Sequence, residues 1–284
     1  MCSSDLGGWI IGLDLVAIKV SSSNGARSLY TPVNEEPISL RSYVGSRIQS
    51  LTPASRVDIE ANRAIQVSGK VEIFGAESTA NIRTATSLTV MEGGLIAGRD
   101  NGDVLTLTAG TVLAIQPGGA VTAGARFDDA NGTPVAVQTG TGADAILNSA
   151  HELFIGGSVT TSDAMVLNSG PPLLDHSDYF DALALVDANH PLIGHSQYGI
   201  LLTGTLTTLA GDSVLRLLSQ ADVIVRGNIK VLGAHSDLLI QSDRFVYVEG
   251  FTDIKDNASI FGGVNASGDI VDHGRSEEHT SELQ

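Results

Sequence analysis

Aliphatic and polar residues alternate one for one along most of this chain, in short bursts. "VDIEA" (57–61), "VEIF" (71–74) and "VLTLTAG" (104–110) are typical. A period of two sends successive side chains to opposite faces of an extended strand. No stretch sustains the i, i+3, i+4, i+7 stripe of a helix. "DSVLRLLSQAD" (212–222) comes nearest and reads equally well as strand, turn, strand. The pattern predicts an all-β protein of many short strands.

The strands recur in a phrase: two or three alternating aliphatics, a Gly, then more aliphatics. It is seen in "IQVSGKVEIFG" (65–75), "LTVMEGGLIAG" (88–98), "LAIQPGGAVTAG" (113–124), "LFIGGSV" (153–159), "LLTGTL" (201–206), "VIVRGNIKVLG" (223–233) and "VYVEGFTDI" (246–254). With Gly as a ruler, Gly45, Gly69 and Gly93 are 24 apart, Gly118 follows at 25 and Gly142 at 24. Gly204, Gly227 and Gly250 are 23 apart, and Gly274 follows at 24. The phase slips between Gly142 and Gly157, and the 47 residues from Gly157 to Gly204 read as about two periods.

A fixed period of this length signals a stacked repeat. A leucine-rich repeat would need an L-x-x-L-x-L frame with a fixed Asn, which is missing. A propeller blade needs roughly 40 residues or more. A parallel β-helix with coils of 23–24 residues fits best, each coil holding about three strands. Inward aliphatics stack coil on coil, and Gly permits the positive-φ corners. About nine or ten such coils fit between residues 43 and 274 at this period. Residues 7–42 fit the ruler poorly and are expected to be an irregular lead-in or a partial coil; "TPVNEEP" (31–37) reads as loop.

The two ends look different from the body. "RSEEHTSELQ" (275–284) resembles the translation of a widely used sequencing-library adapter. "MCSSDL" (1–6) resembles the translation of the reverse complement of the same adapter's start. Both are expected to be artefact, with neither end a natural terminus. The consequence is compositional. The chain's single Cys, Cys2, falls in the first of these segments, so residues 7–274 hold no disulfide, thiol nucleophile or Cys metal ligand. The net charge of −16 includes −3 from Asp5, Glu277, Glu278, Glu282 and Arg275, which leaves −13 for the body. An acidic body with scattered Lys and Arg argues against nucleic acid and anionic membranes as partners. Aromatics are 5% against 42% apolar residues, so the core must be aliphatic. "WIIGLDLVAI" (9–18) is too short to span a membrane and carries Asp14.

The phrases "HELFIGGSVTTSDAMVLNSG" (151–170), "VLTLTAGTVLAIQPGGAVTAG" (104–124) and "ADVIVRGNIKVLGAHSDLLIQS" (221–242) resemble the degenerate coils of filamentous-haemagglutinin-like and related giant bacterial surface proteins. The resemblance covers most of 55–274, and it implies that the parallel β-helix is right-handed. It implies a secreted or surface-displayed adhesin shaft or structural spacer, extracellular or at the cell surface. Its partners would be host or matrix glycans or proteins, and neighbouring coils of a longer chain. The chain departs from the pattern in its ragged copies, and "GGVNASGD" (262–269) lacks the calcium nonapeptide frame.

Parallel β-helices also carry polysaccharide lyases and hydrolases, which gives an alternative reading. Its densest candidate is "PPLLDHSDYFDALALVDANHPLIGHSQYG" (171–199), a decorated insertion. Asp178, Asp181 and His190 would supply acids and an imidazole there, and Tyr179 a ring to stack on a sugar. The segment has no Lys or Arg to stabilise developing charge, and no fixed ligand spacing. A decorated, solvated turn explains it as well. "RFDDANGTP" (126–134) places Asp128, Asp129 and Asn131 together as a calcium loop would, without the full frame or a closing Glu. An Asn-Gly turn accounts for the same residues. No Ser/His/Asp arrangement and no cofactor motif stands out, so no catalytic residue and no cofactor is assigned.

Overall fold

The computed structural model describes residues 4–6, 9–20, 38–42, 45–130, 133–171, 198–244, 246–254, 257–264 and 270–271. The chain folds as an all-β parallel β-helix. Three long parallel sheets run side by side, and the chain visits them in strict rotation.

The first coil is β1 (Ser4–Leu6), β2 (Trp9–Gly12) and β3 (Leu15–Val20). The second is β4 (Ile38–Ser42), β5 (Arg47–Ser50) and β6 (Arg56–Ala61). The third is β7 (Ala64–Val67), β8 (Lys70–Ile73) and β9 (Thr79–Thr84), and the fourth β10 (Leu88–Val90), β11 (Leu95–Gly98) and β12 (Val104–Ala109). The fifth coil has β13 (Val112–Ile115) and β14 (Ala120–Ala123), then a hairpin of β15 (Ala125–Ala130) and β16 (Thr133–Gln138), then β17 (Asp144–Ser149). The sixth is β18 (Glu152–Ile155), β19 (Ser158–Thr161) and β20 (Met165–Ser169). The seventh is β21 (Tyr198–Leu202), β22 (Thr205–Thr208) and β23 (Val214–Ser219), and the eighth β24 (Asp222–Val225), β25 (Asn228–Val231) and β26 (Asp237–Ser242). The ninth is β27 (Val246–Val248), β28 (Thr252–Ile254) and β29 (Asn257–Val264), with β30 (Ile270–Val271) antiparallel on β29. First strands pair with first strands, second with second and third with third.

Period-two alternation produces the core. On the third sheet Ile59, Ile82, Leu107, Leu147, Leu167 and Leu217 face inward and stack as one column, each 2% exposed or less. Corresponding columns on the other sheets, such as Leu88–Leu113–Leu153 and Ile96–Val121–Val159, complete a single continuous core. Each residue rests on aliphatics of the coil above and below, so the stack needs no large rings.

Two corners are polar and repeat along the stack. Where the second sheet turns into the third, Ser55, Ser78, Asp103, Ser213 and Ser236 are buried. The Ser55 and Ser213 backbone N–H groups donate to the hydroxyls of Ser78 and Ser236 one coil on. The residue before each of these is left-handed: Ala54, Glu77, Gly102, Asp212 and His235 all have φ between 55° and 68°. Where the third sheet turns back to the first, Ser149 and Ser242 hydroxyls donate to the Thr111 and Ala221 carbonyls. Their oxygens also accept the N–H two residues ahead, from His151 and Arg244.

The Gly ruler needs two corrections. Gly142 is not one coil beyond Gly118. Its φ of 65° and the Gly102 N–H to Thr141 carbonyl bond place it at the polar corner, stacked on Gly102. Leu113 pairs instead with Leu153, because the β15–β16 hairpin is extruded from this coil. The 47 residues from Gly157 to Gly204 are likewise one coil and not two. Ser158 pairs with Thr205, and the Thr205 N–H donates to the Gly157 carbonyl. Counting residues cannot separate a second coil from an insertion. Of residues 7–42, Trp9–Gly12 and Leu15–Val20 are regular strands in register with β5 and β6; "TPVNEEP" lies outside the described residues.

Candidate interaction face

Asp178, Tyr179, Asp181 and His190 lie within 172–197, outside the described residues. β20 ends at Ser169 and β21 begins at Tyr198; just after β20, His151 Nδ1 donates to the Pro171 carbonyl at 2.8 Å. Asp128 and Asp129 are on β15, opposite Val135 and Pro134 of β16. Asn131 lies outside the described residues. Among the described residues no three His, Cys, Asp or Glu side chains come together as a metal site. Among the described residues no helix is long and apolar enough to cross a membrane.

A further surface feature lies on the outer face of the third sheet, over coils one to four. A shallow groove of about 500 Å³ lies there. Its side chains are the outward half of the alternation. One row runs Ala17–Asp58–Asn81–Thr106 and the next Lys19–Glu60–Arg83–Thr108, each residue beside its partner on the next strand. Adjacent strands are about 4.8 Å apart, so side chains in a row touch. Asn81 Nδ2 donates to Asp58 Oδ1 at 3.0 Å, and Arg56 Nε contacts Asp58 Oδ2 at 2.6 Å. Arg83 Nη2 donates to Glu60 Oε2 at 2.8 Å, and Lys19 Nζ sits 3.4 Å from Glu60 Oε1.

These partners set the ionisation. Partial burial pushes the Asp58 carboxyl up, but the hydrogen bonds from Arg56 and Asn81, with the Arg56 and Arg83 charges, outweigh it and hold the carboxyl below its usual value. The Arg83 hydrogen bond, against a smaller desolvation cost, holds Glu60 below its usual value as well. Both groups are therefore anionic at neutral pH. That suits accepting hydrogen bonds and does not suit general-acid chemistry, which needs a raised carboxyl.

A second polar group sits on the outer face of the second sheet. Glu72 is 1% exposed. It accepts from Arg99 Nη2 at 2.6 Å and Gln49 Nε2 at 2.9 Å, with Arg47 Nε at 3.6 Å. The Arg99 guanidinium also lies over the Phe74 ring, 5.7 Å from its centroid. With these partners Glu72 serves packing between coils.

Singly, the groove residues look like ordinary solvated positions of "VDIEA" and its neighbour. The available signal was complementarity one coil apart: Asp58 with Asn81 and Glu60 with Arg83, both at 23 residues. No protein-family model, no curated protein and no solved structure matches the chain.

Proposed function

We propose that this chain is a shaft segment of a large secreted or surface-displayed bacterial repeat protein, acting as adhesin shaft or structural spacer. The observation that carries the reading is the stacking of nine coils on three sheets, with the β15–β16 hairpin set outside them and the core left continuous. In such a stack each coil contacts only its neighbours, so length grows with coil number. At about 4.8 Å per coil, nine coils extend roughly 40 Å along the axis. The mechanism is geometric. The aliphatic core and backbone ladders stiffen the rod, while outward residues are free to meet glycans or proteins of a host or matrix. The resemblance to filamentous-haemagglutinin-like coils supports the same reading, as does the acidic, Cys-free body.

Long-read sequencing of the source DNA through this gene tests the proposal. It is expected to give one long reading frame in which coils of similar period continue on both sides, together with export signals. A short frame holding these coils alone would overturn it.

A further inference from the structure

The groove over coils one to four has two unequal halves. In the half nearer the first coil, Lys19, Arg56, Asp58 and Glu60 hold one another in ion pairs. In the half nearer the fourth coil, Asn81 Oδ1 and the Thr106 and Thr108 hydroxyls have no protein partner among the described residues. All three are only partly buried and open to the groove. The groove thus combines fixed charged groups with free donors and acceptors at neighbouring positions.

We propose that this groove binds a neutral oligosaccharide, laid across the strands. The inference rests on the reading of the chain as an extracellular shaft and gives that shaft a ligand class. Three features favour a neutral polyol. First, the groove is nearly balanced in charge: Lys19, Arg56 and Arg83 face Asp58 and Glu60. A sulfate or phosphate placed there would meet two carboxylates held anionic by their partners. Second, sugar hydroxyls both donate and accept. Asp58, Glu60 and Asn81 Oδ1 accept, Arg83 donates, and the two Thr hydroxyls do either. Third, the polar groups are held in place before the ligand arrives, by the 3.0 Å Asn81–Asp58 and 2.8 Å Arg83–Glu60 bonds. Little side-chain entropy remains to be lost on binding.

The rows repeat at the strand spacing of about 4.8 Å, so a ligand with a repeating unit meets a similar polar pair at each rung. Ala17 offers an apolar floor at one end. Among the described residues no aromatic side chain lines the groove, so a single site binds weakly, and tight adhesion needs many copies or many rods acting together.

The test uses the full chain on an array of neutral, uronate-bearing and sulfated oligosaccharides, followed by titration of the best binder. Variants Asn81→Ala and Thr106→Val remove groove groups on outward positions, and circular dichroism confirms that they fold. Asn228→Ala, exposed on the second sheet, is the control. Saturable binding to neutral oligosaccharides is expected, insensitive to salt. Each groove variant should weaken it roughly five- to tenfold, the loss of one or two hydrogen bonds, and Asn228→Ala should leave it unchanged. Preference for sulfated sugars, absence of binding to every neutral sugar, or full binding by the groove variants would each overturn the proposal. A long reading frame with no sugar binding sinks this inference alone. Sugar binding by a short, free-standing frame sinks the shaft reading alone.

Discussion

The backbone N–H of Ser78 donates to Asp103 Oδ1 at 3.0 Å, from one coil to the next, at a corner where the second, third, seventh and eighth coils carry a buried Ser. Ser55 makes the same bond to the Ser78 hydroxyl. Asp103 therefore puts a carboxylate where those four coils use a neutral hydroxyl, and it is 0% exposed. Burial pushes its carboxyl up from 3.8 to about 6, with the neighbouring Asp100 charge adding to the rise and backbone N–H donors from Asp100, Ser78 and Arg99 opposing it.

A raised folded-state value means the folded protein holds this proton more tightly than the unfolded chain. The resulting stability is fully present below about pH 4 and is lost as pH rises through about 6, an amount of at most about 3 kcal/mol. Asp58 and Glu60, held low, slope the other way, so the comparison must be made against a variant. Urea denaturation of wild type and Asp103→Ser from pH 4 to 8 should show the variant gaining relative to wild type as pH rises. Parallel curves would contradict the assignment.

The left-handed corner position makes a second prediction. Gly102 has φ 68° and Ala54 has φ 55° at the same place in different coils. A Cβ on Gly102 would meet only ordinary contacts with Glu77, so the cost of Gly102→Ala is backbone strain alone. That substitution should destabilise by about 1 kcal/mol, and Ala54→Gly should change stability by less than that in the favourable direction. Denaturation midpoints at fixed m-value measure both.

Phe154 points away from the core yet is 1% exposed, packed with Ala114, Leu201 and Ile224 in one outward row of the first sheet. Phe154→Ala should cost about 3 kcal/mol in urea denaturation, as much as an inward core residue. Gln66→Ala, in the same row three coils earlier, should cost well under 1 kcal/mol.

The fold was legible because its core requires strict alternation, and residues such as Ile59, Ile82 and Leu107 show it directly. The coil count along the middle of the chain was not. The β15–β16 hairpin carries its own alternation in "ARFDDA" and "TPVAVQ", so its residues read like those of a coil. Gly142 fell near the expected spacing although it serves a different corner from Gly118. The outward apolar row carries its own signal in the sequence. "LFI", "ILL" and "VIV" are unbroken apolar triplets, the mark of a strand buried on both faces. The groove was invisible for a different reason. Asp58, Asn81, Glu60 and Arg83 are ordinary surface residues singly, and only the register between coils makes them a set.

The most direct test of the coil architecture is a disulfide between Ser158→Cys and Thr205→Cys, made with Cys2→Ser. These outward positions are direct partners on β19 and β22, although 47 residues separate them. Neighbouring strands lie about 4.8 Å apart, within the Cα separation a disulfide needs, whereas two coils would place them about 10 Å apart, beyond it. Mild oxidation followed by non-reducing electrophoresis and peptide mapping should show near-complete 158–205 crosslinking in the folded chain and little under denaturant. Absence of the crosslink in a folded chain would contradict the nine-coil stack.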